Sequence, residues 1–489
     1  MLYQALVERA ERHPSKIAVT GQTRSVSFKQ LLVEVRRTAA ALRRLGVRAE
    51  QPILVGVPPS PDFYVIFYAA CALGATVIPL LPSGKIPQPA LDIDPVLAVG
   101  ENSFLQAVKS LMPGLRHAIR WDRSRGFYLP KTNRAAFAHD RVIRGKRILG
   151  ILTSGTTGEP TIHFTTAEAL VRHGRLRAKV IGIREDDVLL STRPFNNMSS
   201  IDAPVILPMV SGCKVVVREQ FKRFEAAETI SRERVTIVYG VPVIFEMLAS
   251  IPANYPGDFS SLRLGVSGGA PLSRFIFDKF YQRFGLKLQQ RYGNTQFFPA
   301  FNFDTRGIPG AVGQTSGPFP MTVVDEGGKR VTDGGIGEIV IDLGELKTGF
   351  WRSALEDSPD RRGNHIHTGD LGKLDSDDNL FIVGRKSRFI KVGGNRVAPA
   401  EVESVIRSNP KVRDTIVFPY HPGERDEAVH AVVVPTGRLT PHELLAFCAE
   451  RLDPYKCPRR IDFCKNLPRN AQGKIVRYHF ESERASSHV

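Results

Sequence analysis

Residues Ile148 to Pro160 read Ile-Leu-Gly-Ile-Leu-Thr-Ser-Gly-Thr-Thr-Gly-Glu-Pro. The first five form an apolar run of strand length. The next six, Thr153, Ser154, Gly155, Thr156, Thr157 and Gly158, all carry a hydroxyl or are glycine. The pattern predicts a buried strand that empties into a polar loop. Glycine lets a backbone approach an anion closely, and hydroxyls and amides donate to phosphate oxygens, so this loop has the chemistry of a phosphate cradle. It is not a P-loop, because the closing Gly-Lys-Ser/Thr is missing. By composition alone, a loop of this kind is more often only a loop.

Outward from this stretch, short β-rich apolar runs recur at 52–56, 75–79, 96–99, 214–217 and 235–239. Helix-period segments such as Phe28–Leu45 and Phe224–Arg234 separate several of them, which predicts a layered α/β architecture with largely parallel sheets. Between 311 and 341 the runs shorten and Gly-rich turns multiply, as in a β-rich subdomain. A boundary at Gly384-Arg385 divides a large N-terminal domain, 1–384, from a small α+β C-terminal domain, 385–489. In the latter, Thr440-Pro441-His442-Glu443 starts a helix: Thr440 is the N-cap, Pro441 opens the first turn and Glu443 closes a capping box. That reading displaces a His-Glu metal site, since no second histidine follows at the required spacing.

The chain has 489 residues, too many for one core, and its apolar and charged fractions, 42% and 24%, are those of a globular protein. A formal charge of +18 suits polyanionic partners such as nucleotides. Arginines come in scattered pairs without a nucleic-acid motif, which argues against DNA or RNA binding. Five cysteines without a CxxC pair fit a reducing compartment. The N-terminal segment predicts an amphipathic helix and lacks the apolar centre of a signal peptide. Phe63 to Leu81 is uncharged and long enough to span a bilayer, but Gly74 and Pro79 break it, so a buried helix followed by a buried strand is expected, with no integral membrane span. A cytoplasmic protein is the expectation.

The text Thr-Ser-Gly-Thr-Thr-Gly-Glu-Pro resembles the phosphate loop of the adenylate-forming superfamily, which comprises acyl-CoA and aryl-CoA synthetases, adenylation domains and luciferases. Further resemblances follow in the family's order: Pro194–Cys213 to its acyl-pocket helix, Leu262–Leu272 and Arg291–Gln296 to its adenine-binding strands, His367–Asp370 to its ribose motif, Gly384–Glu403 to its hinge, and Leu467–Arg477 to its catalytic-lysine loop. The family's activity is to activate a carboxylic acid with ATP and Mg2+ as an acyl-adenylate, then to pass the acyl group to a thiol.

By this resemblance Asp370 accepts from the ribose hydroxyls, Arg385 contacts ribose or phosphate, and Tyr292 and Gly293 border adenine against a wall of Gly268, Gly269 and Ala270. Lys474, with Thr295, is the implied catalytic residue: aimed positive charge stabilises the α-phosphate and carboxylate oxygens as pyrophosphate leaves. The small domain is implied to be mobile about a hinge at Ser387, with Gly393 and Gly394 lining the thiol tunnel. Phe195, Asn196, Met198, Tyr239, Gly240, Phe297 and Phe298 are the candidate acyl pocket, which suits an apolar acid. The implied acceptor is coenzyme A, and the alternative is an acyl carrier protein.

Without the resemblance each residue has a plainer reading: Asp370 a turn aspartate, Arg385 a linker charge, Tyr292 a core tyrosine, Lys474 a surface turn. Two positions depart from the family. Thr161 stands where a lysine follows Glu-Pro, and Gln296 stands where a glutamate helps to hold magnesium, for which an amide oxygen is a poorer ligand. These departures leave a degenerate nucleotide-binding protein as one alternative. Gly265-Val266-Ser267-Gly268-Gly269 also matches the nucleophile elbow of a serine hydrolase, with His365, His367, His421 and His430 downstream. That short pattern explains none of the other motifs.

Overall fold

The computed structural model describes residues 2–82, 86–129, 147–153, 161–332, 334–346, 360–386, 389–420 and 427–468. They fall into two compact units: Met1–Gly240 with Asn254–Arg263 and Asn294–Pro299, and Val241–Ala253 with Leu264–Gly293 and Ala300–Val489.

In the first unit, one sheet runs in the order Gly126–Phe127, His117–Asp122, Leu97–Gly100, Pro52–Gly56, Thr76–Pro79, Leu149–Thr153 and Thr161–Thr165. Its inner strands are parallel and its two edges antiparallel. Parallel strands are covered on both faces, which is why Leu97–Gly100 and Thr76–Pro79 are buried at every residue and show no alternation. The edge strand Thr161–Thr165 is mostly open. A second sheet sets Ile237–Gly240, Val188–Ser191, Lys214–Val217 and Ile17–Thr20 in parallel, closed by antiparallel Ser25–Ser27.

The uncharged Phe63–Leu81 segment resolves as expected. A helix over Pro61–Leu73, buried at every residue, ends at Gly74 with φ +69°, and the strand Thr76–Pro79 follows. Among the described residues no helix is long and apolar enough to cross a membrane. The hydroxyls of Tyr64 and Tyr68 on this helix donate to the carbonyls of Pro204 and Val205 at 2.7 and 2.8 Å. Those carbonyls lie in a π-helical turn, Asp202–Ile206, inserted between helical segments Met198–Ile201 and Leu207–Ser211. Pro204 has no N–H to continue the α-helical ladder, which accounts for the widened turn, and the two tyrosines satisfy carbonyls within it.

In the second unit, Leu264–Gly268 and Leu288–Tyr292 pair in parallel, with Asn302–Phe303 antiparallel. An antiparallel sheet follows in the order Ala311–Gln314, Asn379–Arg385, His365–Leu374, Gly337–Asp342 and Met321–Val324. The β-rich region anticipated at 311–341 therefore continues to residue 385, because the long strands His365–Leu374 and Asn379–Arg385 complete its sheet. Near the C-terminus, helices Pro399–Ser408 and Pro441–Ala449 accompany a sheet of Val412–Tyr420, Ala428–Pro435 and Arg460–Phe463 around their own apolar core. Thr440 caps its helix through the anticipated box with Glu443. The arrangement is the anticipated mixed α/β fold.

Candidate active site

The Thr-Gly-Asp motif lies inside the strand His365–Leu374, where pairing with Gly337–Asp342 slips in register. The Thr368 hydroxyl donates to the Ile339 carbonyl at 2.8 Å and accepts the Asp370 amide at 3.1 Å, which fixes the backbone beneath the carboxylate. Asp370 is opposite Arg385 in register, and the Arg385 Nε donates to its Oδ1 at 2.8 Å. Tyr292, the last residue of its own strand, donates its hydroxyl to Oδ2 at 2.7 Å. Three residues anticipated from separate motifs thus meet at one carboxylate. Burial pushes the Tyr292 phenol well above its ordinary range, and the Asp370 charge acts in the same direction, so the hydroxyl keeps its proton. Each carboxylate oxygen has a second lone-pair direction, so Asp370 retains capacity for further donors.

Beside this cluster is a group that the sequence reading missed. Glu338 Oε2 accepts from Lys386 Nζ at 2.9 Å and faces His367 Nδ1 at 3.0 Å, and its Oε1 accepts the Gly369 amide at 3.2 Å. Burial pushes the Glu338 carboxyl up, but the Lys386 and His367 contacts outweigh it and hold the group below its ordinary value. Its sequence signal was a carboxylate directly before the apolar run Ile339-Val340-Ile341.

Of the phosphate-loop candidates, Thr153 ends one strand and pairs with Thr161, the two hydroxyls 2.9 Å apart. Ser154, Gly155, Thr156, Thr157 and Gly158 lie outside the described residues, as do Ser387 and Lys474. Gly268 closes the strand Leu264–Gly268, Gly269 follows with φ +83°, and Ala270 is half-buried. Gly293 follows Tyr292, and a Cβ there would sit 3.3 Å from the Ala300 carbonyl. Thr295 is half-buried and its carbonyl accepts the Phe298 amide. Gln296 Oε1 accepts from Asn294 Nδ2 at 3.2 Å. Among the described residues no cluster of His, Cys, Asp and Glu could hold a metal ion, and an engaged amide oxygen is a weak substitute. Gly393 and Gly394 form the two-residue turn of the hairpin Ile390–Val392/Asn395–Val397, with φ +53° and +83°. Two successive positive φ values require glycine-like freedom, and a Cβ at either residue would meet nothing within 4 Å.

The acyl-pocket candidates cluster in the first unit. Phe195 is buried edge-on against Phe63 at 4.8 Å, Met198 and Phe297 are buried, and Asn196 and Phe298 are half-buried. Tyr239 and Gly240 end the strand Ile237–Gly240, with Tyr239 opposite Ser191, from which the chain runs on into Pro194–Met198. Both segments therefore leave the carboxyl ends of adjacent parallel strands, where α/β sheets bind ligands. Behind Tyr239 is a fully buried polar network that the sequence reading also missed. Arg177 forms an ion pair with Asp202 and lies over the Tyr239 ring, 4.8 Å from its centroid. His173, one turn earlier on the same helix, contacts Asp202 Oδ2 through Nε2 at 3.2 Å and the Pro299 carbonyl through Nδ1 at 2.8 Å. Both ring nitrogens face acceptors, an arrangement satisfied when both carry hydrogen.

The hydrolase reading is corrected. Ser267 is fully buried inside its strand and not on an exposed turn, and its Oγ has no hydrogen-bond partner among the described residues. His365, His367 and His430 face Asp342, Glu338 and Asp462 instead, and His421 is outside the described residues.

Comparison with known proteins agrees with the geometry. A family model described as AMP-binding enzyme matches residues 6–351, and one described as AMP-binding enzyme C-terminal domain matches 401–474. Indoleacetate–CoA ligase of Aromatoleum aromaticum is 26% identical over 491 residues, 96% of this chain and 96% of that protein. Feruloyl-CoA synthase of an Amycolatopsis species is 28% identical over 495 residues, again 96% of each. The crystal structure of the anthranilate CoA ligase AuaEII with anthranoyl-AMP shares the fold at a TM-score of 0.84 and 24% identity, covering 100% of this chain and 98% of that one. The family that the ordered motifs resemble is the one found: this chain belongs to the AMP-binding enzymes.

Proposed function

We propose that the chain is an AMP-forming acid–thiol ligase, which activates an apolar acyl or aryl carboxylic acid with MgATP and transfers the acyl group to coenzyme A. The observation that carries this reading is the convergence of Tyr292 and Arg385 on Asp370, at 2.7 and 2.8 Å, from motifs that the resemblance assigns to adenine, hinge and ribose. The two relatives compared, which match along nearly the whole chain, are an indoleacetate–CoA ligase and a feruloyl-CoA synthase, which supports coenzyme A over a carrier protein. Five free thiols suit a reducing cytoplasm.

In the first step a carboxylate oxygen attacks the α-phosphorus, the α–β phosphoanhydride bond breaks, and pyrophosphate leaves with the electron pair. Asp370 takes the ribose hydroxyls on its remaining lone pairs, which fixes the nucleoside. Arg385 holds the Asp370 carboxylate in orientation. The segment Thr153–Gly158 donates to the polyphosphate, and Lys474 offsets charge growing on the α-phosphate and carboxylate oxygens. In the second step the coenzyme A sulfur attacks the acyl carbon, the acyl–phosphate bond breaks, AMP leaves, and the thiol proton passes to solvent.

The test is pyrophosphate exchange and acyl-AMP formation over a panel of acids, followed by addition of coenzyme A or a holo-carrier protein. Exchange that depends on the acid, lost by about a hundredfold or more in Lys474→Ala, is expected. A wild type that exchanges pyrophosphate with no acid overturns the reading.

A further inference from the structure

The hydroxyl of Tyr239 is buried and has no hydrogen-bond partner among the described residues, although the side chain is only 4% exposed. Buried hydroxyls are ordinarily paired, and an unpaired one marks a group that a ligand or water completes. Its place in the fold favours a ligand. Tyr239 lies at the carboxyl end of a parallel strand, and the strand beside it leads into Phe195, Asn196 and Met198.

The surroundings also set the polarity of the missing partner. Arg177 lies over the face of the ring, and a cation there draws electron density from the phenol, which makes the O–H a better donor than acceptor. Arg177 cannot swing away, because Asp202 pairs with it and is itself held by His173. The Arg177 guanidinium and the His173 ring both face the single carboxylate of Asp202. An electron-rich oxygen is the complement to such a donor in such a field.

We propose that Tyr239 is a specificity-determining residue, which donates to an acceptor oxygen carried by the acid substrate away from its reacting carboxylate, with Arg177 as the positioning residue behind it. This rests on the acid-activation reading and narrows its substrate class. The acid is apolar over most of its length but bears one distal carbonyl, hydroxyl or carboxylate oxygen. A site built to hydrogen-bond such a group rejects the analogue that lacks it, because the buried donor is then left unpaired.

The experiment compares acids matched in shape: 4-hydroxybenzoate with 4-methylbenzoate, 4-hydroxyphenylacetate with 4-methylphenylacetate, and 5-oxohexanoate with 5-methylhexanoate. The readout is kcat/KM for pyrophosphate release by the full-length wild type and Tyr239→Phe. In at least one pair the wild type is expected to prefer the oxygen-bearing acid by about tenfold or more. Tyr239→Phe is expected to remove most of that preference, so that the ratio of kcat/KM between the two acids of the pair falls towards one. A wild type that adenylates these acids without preferring the oxygen, or a Phe variant that keeps the preference, overturns this inference and leaves acid activation standing. A wild type that adenylates none of them overturns this inference, and acid activation is then decided by the wider panel of acids. If the Phe variant does not fold, Tyr239→Trp read on the same pairs takes its place, and loss of the preference is again the expected result.

Discussion

The Tyr292 hydroxyl and the Arg385 guanidinium approach Asp370 from different strands, and the Tyr292 contact, at 2.7 Å to Oδ2, involves the more deeply buried partner. A hydrogen bond to a charged group contributes roughly 1.5–3 kcal/mol. Tyr292→Phe keeps the ring and removes only this donor. The expected result is a KM for ATP raised by about tenfold, with a smaller change in kcat, since in the proposed mechanism Asp370 binds the nucleoside and does not touch the reacting atoms. An unchanged KM for ATP would show that Arg385 alone suffices to hold Asp370.

Glu338 makes stability depend on pH in a definite direction. Its folded carboxyl is held below the ordinary value of 4.5, so its contribution is fully present above that value and is lost as pH falls through the depressed folded one. Glu338→Gln should therefore melt at a lower temperature than wild type at pH 7, and the gap should shrink as pH falls below 4.5. Melting curves of both proteins across this range check the sign. A gap that widens towards acid contradicts it.

Gln296 gives an amide oxygen, already engaged by Asn294, where a carboxylate would serve magnesium better. Gln296→Glu is expected to lower the magnesium concentration for half-maximal pyrophosphate exchange by about threefold to tenfold, since an anionic oxygen is the harder ligand. A magnesium titration at fixed ATP reads this directly, and an unchanged midpoint argues that the ion is held by ATP alone.

The Gly393–Gly394 turn offers a substitution that tests the two half-reactions separately. Gly394→Ala places a side chain at φ +83°, which costs about 1–2 kcal/mol in the turn. If the turn borders the path of the thiol, thioester formation should fall by about tenfold or more while acyl-AMP formation stays within about twofold. Equal loss in both steps would assign the glycines to the hairpin alone.

Much of the fold was legible because its strands are covered on both faces. The apolar runs at 52–56, 75–79 and 214–217 became Pro52–Gly56, Thr76–Pro79 and Lys214–Val217, since a strand buried on both sides tolerates nothing else. The Thr440–Glu443 box was legible because it is local. The Glu338 cluster was not, because it depends on pairing between Gly337–Asp342 and a strand about thirty residues away, which no local pattern announces. Arg177 was hidden in another way. It shares a helix with Arg172, Arg175 and Lys179, which are exposed, so nothing local marks its charge as the buried one. Only the helical phase, which puts Leu170, His173 and Arg177 on the buried face, sets it apart. The anchor for that buried charge, Asp202, lies in the π-helical turn that Pro204 imposes.

The closure of Tyr292 onto Asp370 spans 78 residues, and neither residue meets the other until the intervening sheet has formed. An incompletely folded chain therefore has no such carboxylate cluster to offer a nucleoside. Nucleotide added during refolding would be captured only by molecules that have finished building this unit, and mass action would then draw the population towards them. With Asp370 holding the nucleoside as proposed, the substrate would become a clock for maturation: the delay before nucleotide capture would measure how long the chain takes to bring Asp370 within reach of Tyr292.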